Sequence, residues 1–500
     1  MNKSKLTKNI YISFGGQLII IILGLIIPRL FISNYGSDIN GLLSTITQIY
    51  TYMALLEAGI GQAARNQLFK PFKENDRNEI NYIISIARNY YRRFTYIYAF
   101  FVILLSALLP VIIKTSIDYS TVFLIVLLEG MSGVISFYFI ETQTVVLFVD
   151  GRNYVNNTIN LINKIISYIV KILMMFCGAN IIFIQLSYFI ISIAKVIVYE
   201  LYFKKNYPWI KYKNVDRKSK LKDRNSYIVT EIATTIFNST DMIIISIFLN
   251  TQLASVYSVY NMIYVNITAL LNSVYFSVIY ILGNLYHTSI KKYETAHDAF
   301  TTIFLGGITI CMSICIILTI PFVKLYTVGI TDVNYIYTQL PLLFSLIQIL
   351  SWSRYVSGNL TGIAGYAKQT SYISLLEAIL NLTLSILFVY KYGIVGVLFA
   401  TLISLPLKVI WCIYIADKKI MNRSFKKTLS IIGINLFVFI LAVIFSNIIS
   451  IRIDSYLSFL LCSISLVFIF GIIGIMLNLV VNKECYYILK NKFKKKEACK

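Results

Sequence analysis

Long apolar runs separated by short polar stretches dominate this chain. A membrane-crossing helix needs about 20 mostly apolar residues. That ruler predicts spans over 10–32, 40–64, 81–112, 120–148, 155–178, 181–203, 226–249, 252–282, 296–322, 338–360, 370–390, 393–415, 428–450 and 456–482, fourteen in all. The run 252–282 is long enough to tilt or break. The runs are too long for a membrane β-barrel and lack its alternation. The pattern predicts an all-α polytopic membrane protein.

Composition strengthens that reading. Hydrophobic residues make up 58% and charged residues 13%, with a mean hydropathy of +0.74. A soluble domain carries roughly 25% charged residues to solvate its surface. Lysine and arginine total 45 against 22 acids. In a membrane protein such an excess marks cytoplasmic loops rather than a nucleic-acid partner. Counting each helix-flanking residue with its loop, the predicted topology puts 36 basic residues on one side, five on the other (Arg29, Lys114, Lys324, Lys391 and Arg452) and four within spans (Lys171, Lys195, Arg354 and Lys408). Both termini are therefore expected in the cytoplasm. Lys3, Lys5 and Lys8 precede an apolar run with no cleavage site after it, so the first span is expected to be retained. The seven cysteines form no CxxC pair, which indicates neither a disulfide framework nor a zinc site. No cofactor is expected beyond a coupling ion, proton or sodium. No outward loop exceeds about 15 residues, which leaves little room for an extracytoplasmic catalytic domain.

One offset of 214 residues aligns the two halves. Ser44, Ile49, Tyr50 and Leu56 meet Ser258, Ile263, Tyr264 and Leu270, and Gly151, Leu161 and Ile165 meet Gly365, Leu375 and Ile379. The predicted organisation is an N-terminal six-helix lobe over 1–203, a basic cytoplasmic linker over 204–225 and a second six-helix lobe over 226–415. Helices 13 and 14 follow over 416–482, then a basic cytoplasmic tail over 483–500. Because both lobes begin inside, the repeat is parallel, a transporter signature. The linker carries nine basic residues, read either as a loop against anionic lipid or as a docking segment.

Charges inside spans need a reason, since one at the bilayer centre costs about 2.5–3.5 kcal/mol on insertion scales. In helix 5, Asn157, Asn160, Lys164, Ser167, Tyr168 and Lys171 recur at helical spacing. They read either as a cavity-lining stripe or as lysines snorkelling to opposite interfaces. In helix 10, Gln348, Ser351, Arg354 and Ser357 step by three, while Lys195 and Lys408 lie near the cytoplasmic edge, where snorkelling is the favoured reading. Arg29, after Pro28, is either a rim anchor or a group at a cavity mouth. Glu57, Glu129, Glu141, Glu231, Asp241 and Glu377 are the intramembrane acids. Each suits ion coupling or a structural ion pair between helices, such as Glu377 with Lys164.

Three stretches carry a resemblance: PRLFISNYGSDINGLLSTI from Pro28, TDMIIISIFLNTQLASVYSVYN from Thr240, and AILNLTLSILFVYKYGIVGVLFATLIS from Ala378. Together they resemble the polysaccharide flippases of the MOP (multidrug/oligosaccharidyl-lipid/polysaccharide) exporter superfamily, the Wzx-type O-antigen and teichoic-acid group. Asn250 and Ala254 stand where glycines are commoner in that family. The resemblance implies a V-shaped pair of six-helix lobes around a central cavity, with two extra helices at the end. It also implies that an undecaprenyl-diphosphate-linked sugar repeat unit is flipped across the bacterial plasma membrane, with no enzymatic chemistry. Membrane lipid, a polysaccharide polymerase and glycosyltransferases would be the partners of such a role.

The residues fit this reading in their own right. A diphosphate-sugar headgroup needs cations and hydrogen-bond donors, which Arg29, Asn157, Asn160, Lys164, Lys171 and Arg354 offer. Its lipid tail needs an apolar groove, for which helices 13 and 14 are available. Glu231, Asp241, Glu57 and Glu377 are the coupling candidates. The rivals are a drug-cation antiporter of the same superfamily, a peptidoglycan-precursor flippase and, from another class, a polysaccharide polymerase or ligase.

Overall fold

The computed structural model describes residues 3–212, 240–448 and 453–481, apart from some side chains within the helices. Fourteen helices and no strand occur among them. They are α1 (Lys3–Glu74), α2 (Arg77–Ile112), α3 (Tyr119–Phe139), α4 (Glu141–Val149), α5 (Asn153–Phe176), α6 (Ile181–Asn206) and α7 (Thr240–Leu249). Then follow α8 (Thr251–Thr288), α9 (Ile290–Tyr326), α10 (Gln339–Ser353), α11 (Tyr355–Ile363), α12 (Ala367–Tyr414), α13 (Lys426–Ile448) and α14 (Tyr456–Val481). Among the described residues, nine stretches are long and apolar enough to cross a membrane. The chain is a multi-pass membrane protein.

The divisions between spans differ from the hydropathy reading in an instructive way. Predicted spans 10–32 and 40–64 are the two arms of α1, which kinks at Gly36 (φ 83). Spans 370–390 and 393–415 are likewise the arms of α12, kinked at Gly393 (φ 56). Conversely, the single spans 120–148 and 338–360 are each broken, at Ile140 between α3 and α4 and at Arg354 between α10 and α11. Helix starts are set by side-chain caps: Asp76 accepts from the Asn78 and Glu79 amides at 3.0 Å, and Asp118 accepts from Thr121 at 2.9 Å. Such caps satisfy donors that the first turn leaves unpaired.

The 214-residue offset recurs in these boundaries. Helices α2 and α9 end at 112 and 326, α4 and α11 span 141–149 and 355–363, and α5 and α12 begin at 153 and 367. Gly151 and Gly365 both have positive φ. In each turn the same backbone bond closes, Arg152 to Leu147 and Tyr366 to Thr361, both at 2.8 Å. Even the aligned tyrosines act alike. Tyr50 donates to the Val126 carbonyl at 2.7 Å and Tyr264 to the Pro341 carbonyl at 3.1 Å.

The chain divides into two compact units, 1–258 and 259–500. In the first, α2 packs on α3, α3 on α6, and α5 on both α1 and α6. Its core includes Tyr98 edge-on to Phe137 with ring centroids 4.8 Å apart. In the second, α9 packs against α10, α13 and α14, and α10 and α11 against α12. The outward faces are as apolar as the cores: Leu457, Leu460, Leu461 and Phe468 of α14 are all exposed. That inversion of the soluble-protein rule is what a lipid solvent requires.

Candidate functional site

Within the first unit, five helices line an open cavity of about 310 Å³ with mixed polar and apolar walls. Thr47 and Thr51 come from the second arm of α1, Glu129 from α3, Asn163 from α5, and Tyr188 and Lys195 from α6. Tyr50, Tyr98, Ser132 and Ser136 complete the wall. Gln185, fully buried, donates its amide to the Glu129 carboxylate. Lys171 lies beside this group. Its ammonium is 4.6 Å from the centroid of Tyr188 and 5.8 Å from that of Phe31. A desolvated cation over an aromatic face gains about 2 kcal/mol, which offsets part of the cost of placing it in a span. Lys195 lies near Glu141 and on the cavity wall. Membrane helices therefore place Lys195, Glu129, Asn163 and the rings of Tyr50, Tyr98 and Tyr188 around one space, with Lys171 against the Tyr188 ring.

The α5 stripe splits between two surroundings. Lys171 is half-buried, while Lys164 is exposed with its ammonium 5.8 Å from the Tyr168 ring. Asn157 is half-buried, and Asn160 is exposed and donates to Asn156 at 2.9 Å. Asn156 also accepts from Tyr199 at 2.5 Å, and Asn163 donates to the Ile191 carbonyl at 3.1 Å. These two asparagines, not singled out by the sequence reading, tie α5 to α6. Glu129, Ser132 and Ser136 were legible as one face of α3, since they step by three and four. Arg29 is half-buried in the first arm of α1.

A polar seam joins the second arm of α1 to α7 and the start of α8. Asp38 accepts from the Ser116 amide at 3.0 Å and from the Ser116 and Thr251 hydroxyls. Asn40 donates to Ser255 at 2.8 Å and to Ser258 at 3.1 Å. Thr45 pairs with Ser246, and Tyr52 with Thr240. Asp241, buried, accepts from the Tyr257 hydroxyl at 3.1 Å. Glu231 and the side chain of Glu57 lie outside the described residues.

The second unit holds its charges in two clusters. At the α10–α11 break, Arg354 contacts Glu377 at 2.5 Å, and Lys408 approaches the other carboxylate oxygen at 3.9 Å. This corrects the expected Glu377–Lys164 pair: Glu377 is 1% exposed and both its oxygens are taken up locally. Near the α12–α13 connection, Arg423 contacts both Asp417 and Asp298 at 2.7 Å, and Lys427 reaches Asp298 at 2.9 Å. Burial works against the Arg423 charge, but the two carboxylates hold its pKa above the ordinary arginine value. A separate groove of about 330 Å³ runs between α9 and α14. Gly306, Gly307, Ile310, Gly474 and Ile475 line it, and only Thr302 and Asn478 add polar atoms.

No family model and no curated protein matches the chain. In fold the chain is similar to solved transporters, among them one of the MOP superfamily. One similar structure is the Lipid II flippase MurJ in an inward closed conformation, at a TM-score of 0.68 and 18% identity, covering 96% of this chain and 99% of that one. Another is the inward-facing conformation of a multidrug resistance MATE family transporter of the MOP superfamily, at 0.60 and 11%, covering 79% and 96%. A third is the MATE multidrug transporter DinF-BH, at 0.59 and 14%, covering 85% and 97%.

Proposed function

We propose that this protein carries an undecaprenyl-diphosphate-linked oligosaccharide repeat unit across the bacterial cytoplasmic membrane by alternating access, with both termini in the cytoplasm. The observation that carries this reading is the mixed-charge cavity of the first unit. A diphosphate calls for cations freed from bulk water, which Lys171 and Lys195 supply. A sugar calls for amides, hydroxyls and carboxylates such as Asn163, Ser132 and Glu129. Arg29, Asn157, Asn160, Lys164 and Arg354 are the further headgroup contacts in this reading. The α9–α14 groove suits an isoprenoid tail, because glycines open an apolar slot on the lipid-facing side. The similarity to a lipid II flippase over 96% of the chain adds support, since the MATE alignments leave a larger share unmatched.

Glu129 among Tyr50, Tyr98 and Tyr188 favours a second reading, export of an organic cation, for which a carboxylate in an aromatic cage is suited. Proteoliposomes offered a lipid-linked oligosaccharide, lipid II and an organic dye cation separate the readings. The proposal expects the oligosaccharide to move fastest; preferential movement of the dye or of lipid II overturns it. For coupling, Asp241, Glu231, Glu57 and Glu377 are the proposed acids, with proton or sodium as the ion. An ion drives transport only through differential affinity for the inward and outward states. Wild-type flipping that ignores imposed proton and sodium gradients removes that part of the proposal.

A further inference from the structure

A larger cavity, about 430 Å³, belongs to neither the mixed-charge cavity nor the apolar groove. It lies at the ends of α2, α4 and α6, on the face that the basic loops assign to the cytoplasm. Its outer wall is the segment 207–212, Tyr-Pro-Trp-Ile-Lys-Tyr, at the start of the basic linker. Asn81 fixes this strap from α2, donating to the Trp209 carbonyl at 3.3 Å and accepting from the Lys211 amide at 3.2 Å. Tyr207 anchors its beginning by donating to Asp150 at 2.7 Å. The strap is thus built structure, not simply a run of solvated charge.

Inside it, three groups point to a ligand. Arg88 stacks over Tyr212 at 3.7 Å, which leaves the guanidinium edge, with its N–H donors, for an anion. Lys204 supplies a second cation. Gln143 is only 8% exposed, yet its side-chain oxygen has no hydrogen-bond partner among the described residues. Buried amides left unsatisfied are uncommon in folded proteins, and a ligand hydroxyl in this pocket would donate to that oxygen. Glu200, on the same wall, partly balances the cations and can accept from a ligand hydroxyl. Tyr138, Phe139 and Phe203 provide apolar faces.

We infer that this pocket binds a phosphate ester bearing hydroxyl groups, on the cytoplasmic side and apart from the transport route. Arg88 and Lys204 hold the phosphate, Gln143 and Glu200 the hydroxyls. The same chemistry is presented by a phosphatidylglycerol headgroup and by free glycerol phosphate. The inference does not depend on which substrate is transported.

Of the three tryptophans, Trp352 and Trp411 can be replaced by phenylalanine, leaving Trp209 on the strap as reporter. The full-length protein in detergent is titrated with glycerol phosphate and with inorganic phosphate, and in nanodiscs phosphatidylglycerol is compared with phosphatidylcholine. A saturable emission change with glycerol phosphate, tighter than with inorganic phosphate, identifies a soluble ligand. A change specific to phosphatidylglycerol nanodiscs identifies a lipid. In either case Arg88→Gln weakens the response roughly tenfold or more, as expected for loss of a charged hydrogen bond. Lys171→Ala leaves it unchanged. Thermal melts establish that Arg88→Gln is folded, and Gln143→Leu gives a second variant expected to weaken binding. Absence of any saturable change, or an unaltered response in folded variants at both positions, overturns the inference.

Discussion

Lys171 shows how a residue that is costly in lipid is kept. Its charge is compensated by the Tyr188 and Phe31 faces and by the nearby Glu129, which Gln185 holds in place. Under the proposed function, Lys171→Ala should abolish surface polysaccharide while protein level stays normal. Lys164→Ala, at an exposed position, should lower export less. Quantifying both polysaccharide and protein in membranes checks this, and normal export in both variants would assign the lysines to snorkelling. Glu377 makes a different prediction. Removing one partner of a buried ion pair costs about 3–5 kcal/mol, because the other charges stay behind. Glu377→Ala leaves Arg354 and Lys408 facing each other, so its melting temperature in detergent should fall well below that of Glu377→Gln, which keeps the hydrogen bond.

At the scale of elements, the turns after α4 and α11 test the repeat. Gly151 has φ +69 and Gly365 has φ +86, and an added Cβ would meet nothing within 4 Å at either position. Alanine at each should destabilise through the backbone alone, by about 1–2 kcal/mol, and the two losses should add because the sites share no partner. Unequal or negligible losses in thermal melts would mean that the two turns are not equivalent. Hydropathy located most spans, because a lipid-facing helix must be apolar along its length. It also placed the α1 and α12 divisions correctly, at turns carrying glycine. The breaks at Ile140 and Arg354 were not legible. Neither carries glycine or proline, and both interrupt apolar runs. The charges were visible in sequence, but not their partners: Glu377 with Arg354, or Asp298 with Arg423, depends on contacts between distant segments.

For the whole molecule, the basic-residue asymmetry predicts orientation. Cysteines placed near Lys114 and Lys391 should react with an impermeant reagent from outside, and cysteines in 204–225 should react only after permeabilisation. The reverse pattern would overturn both the topology and the parallel repeat. The central claim is movement of a lipid-linked sugar through sites in the first unit. Its most direct measurement is the fraction of a labelled undecaprenyl-diphosphate oligosaccharide that crosses between leaflets of proteoliposomes in a fixed time. Wild-type protein is expected to equilibrate the label far faster than protein-free vesicles, with Lys171→Ala close to the protein-free rate. Equal rates with and without the wild-type protein, or full activity in Lys171→Ala, would contradict the account.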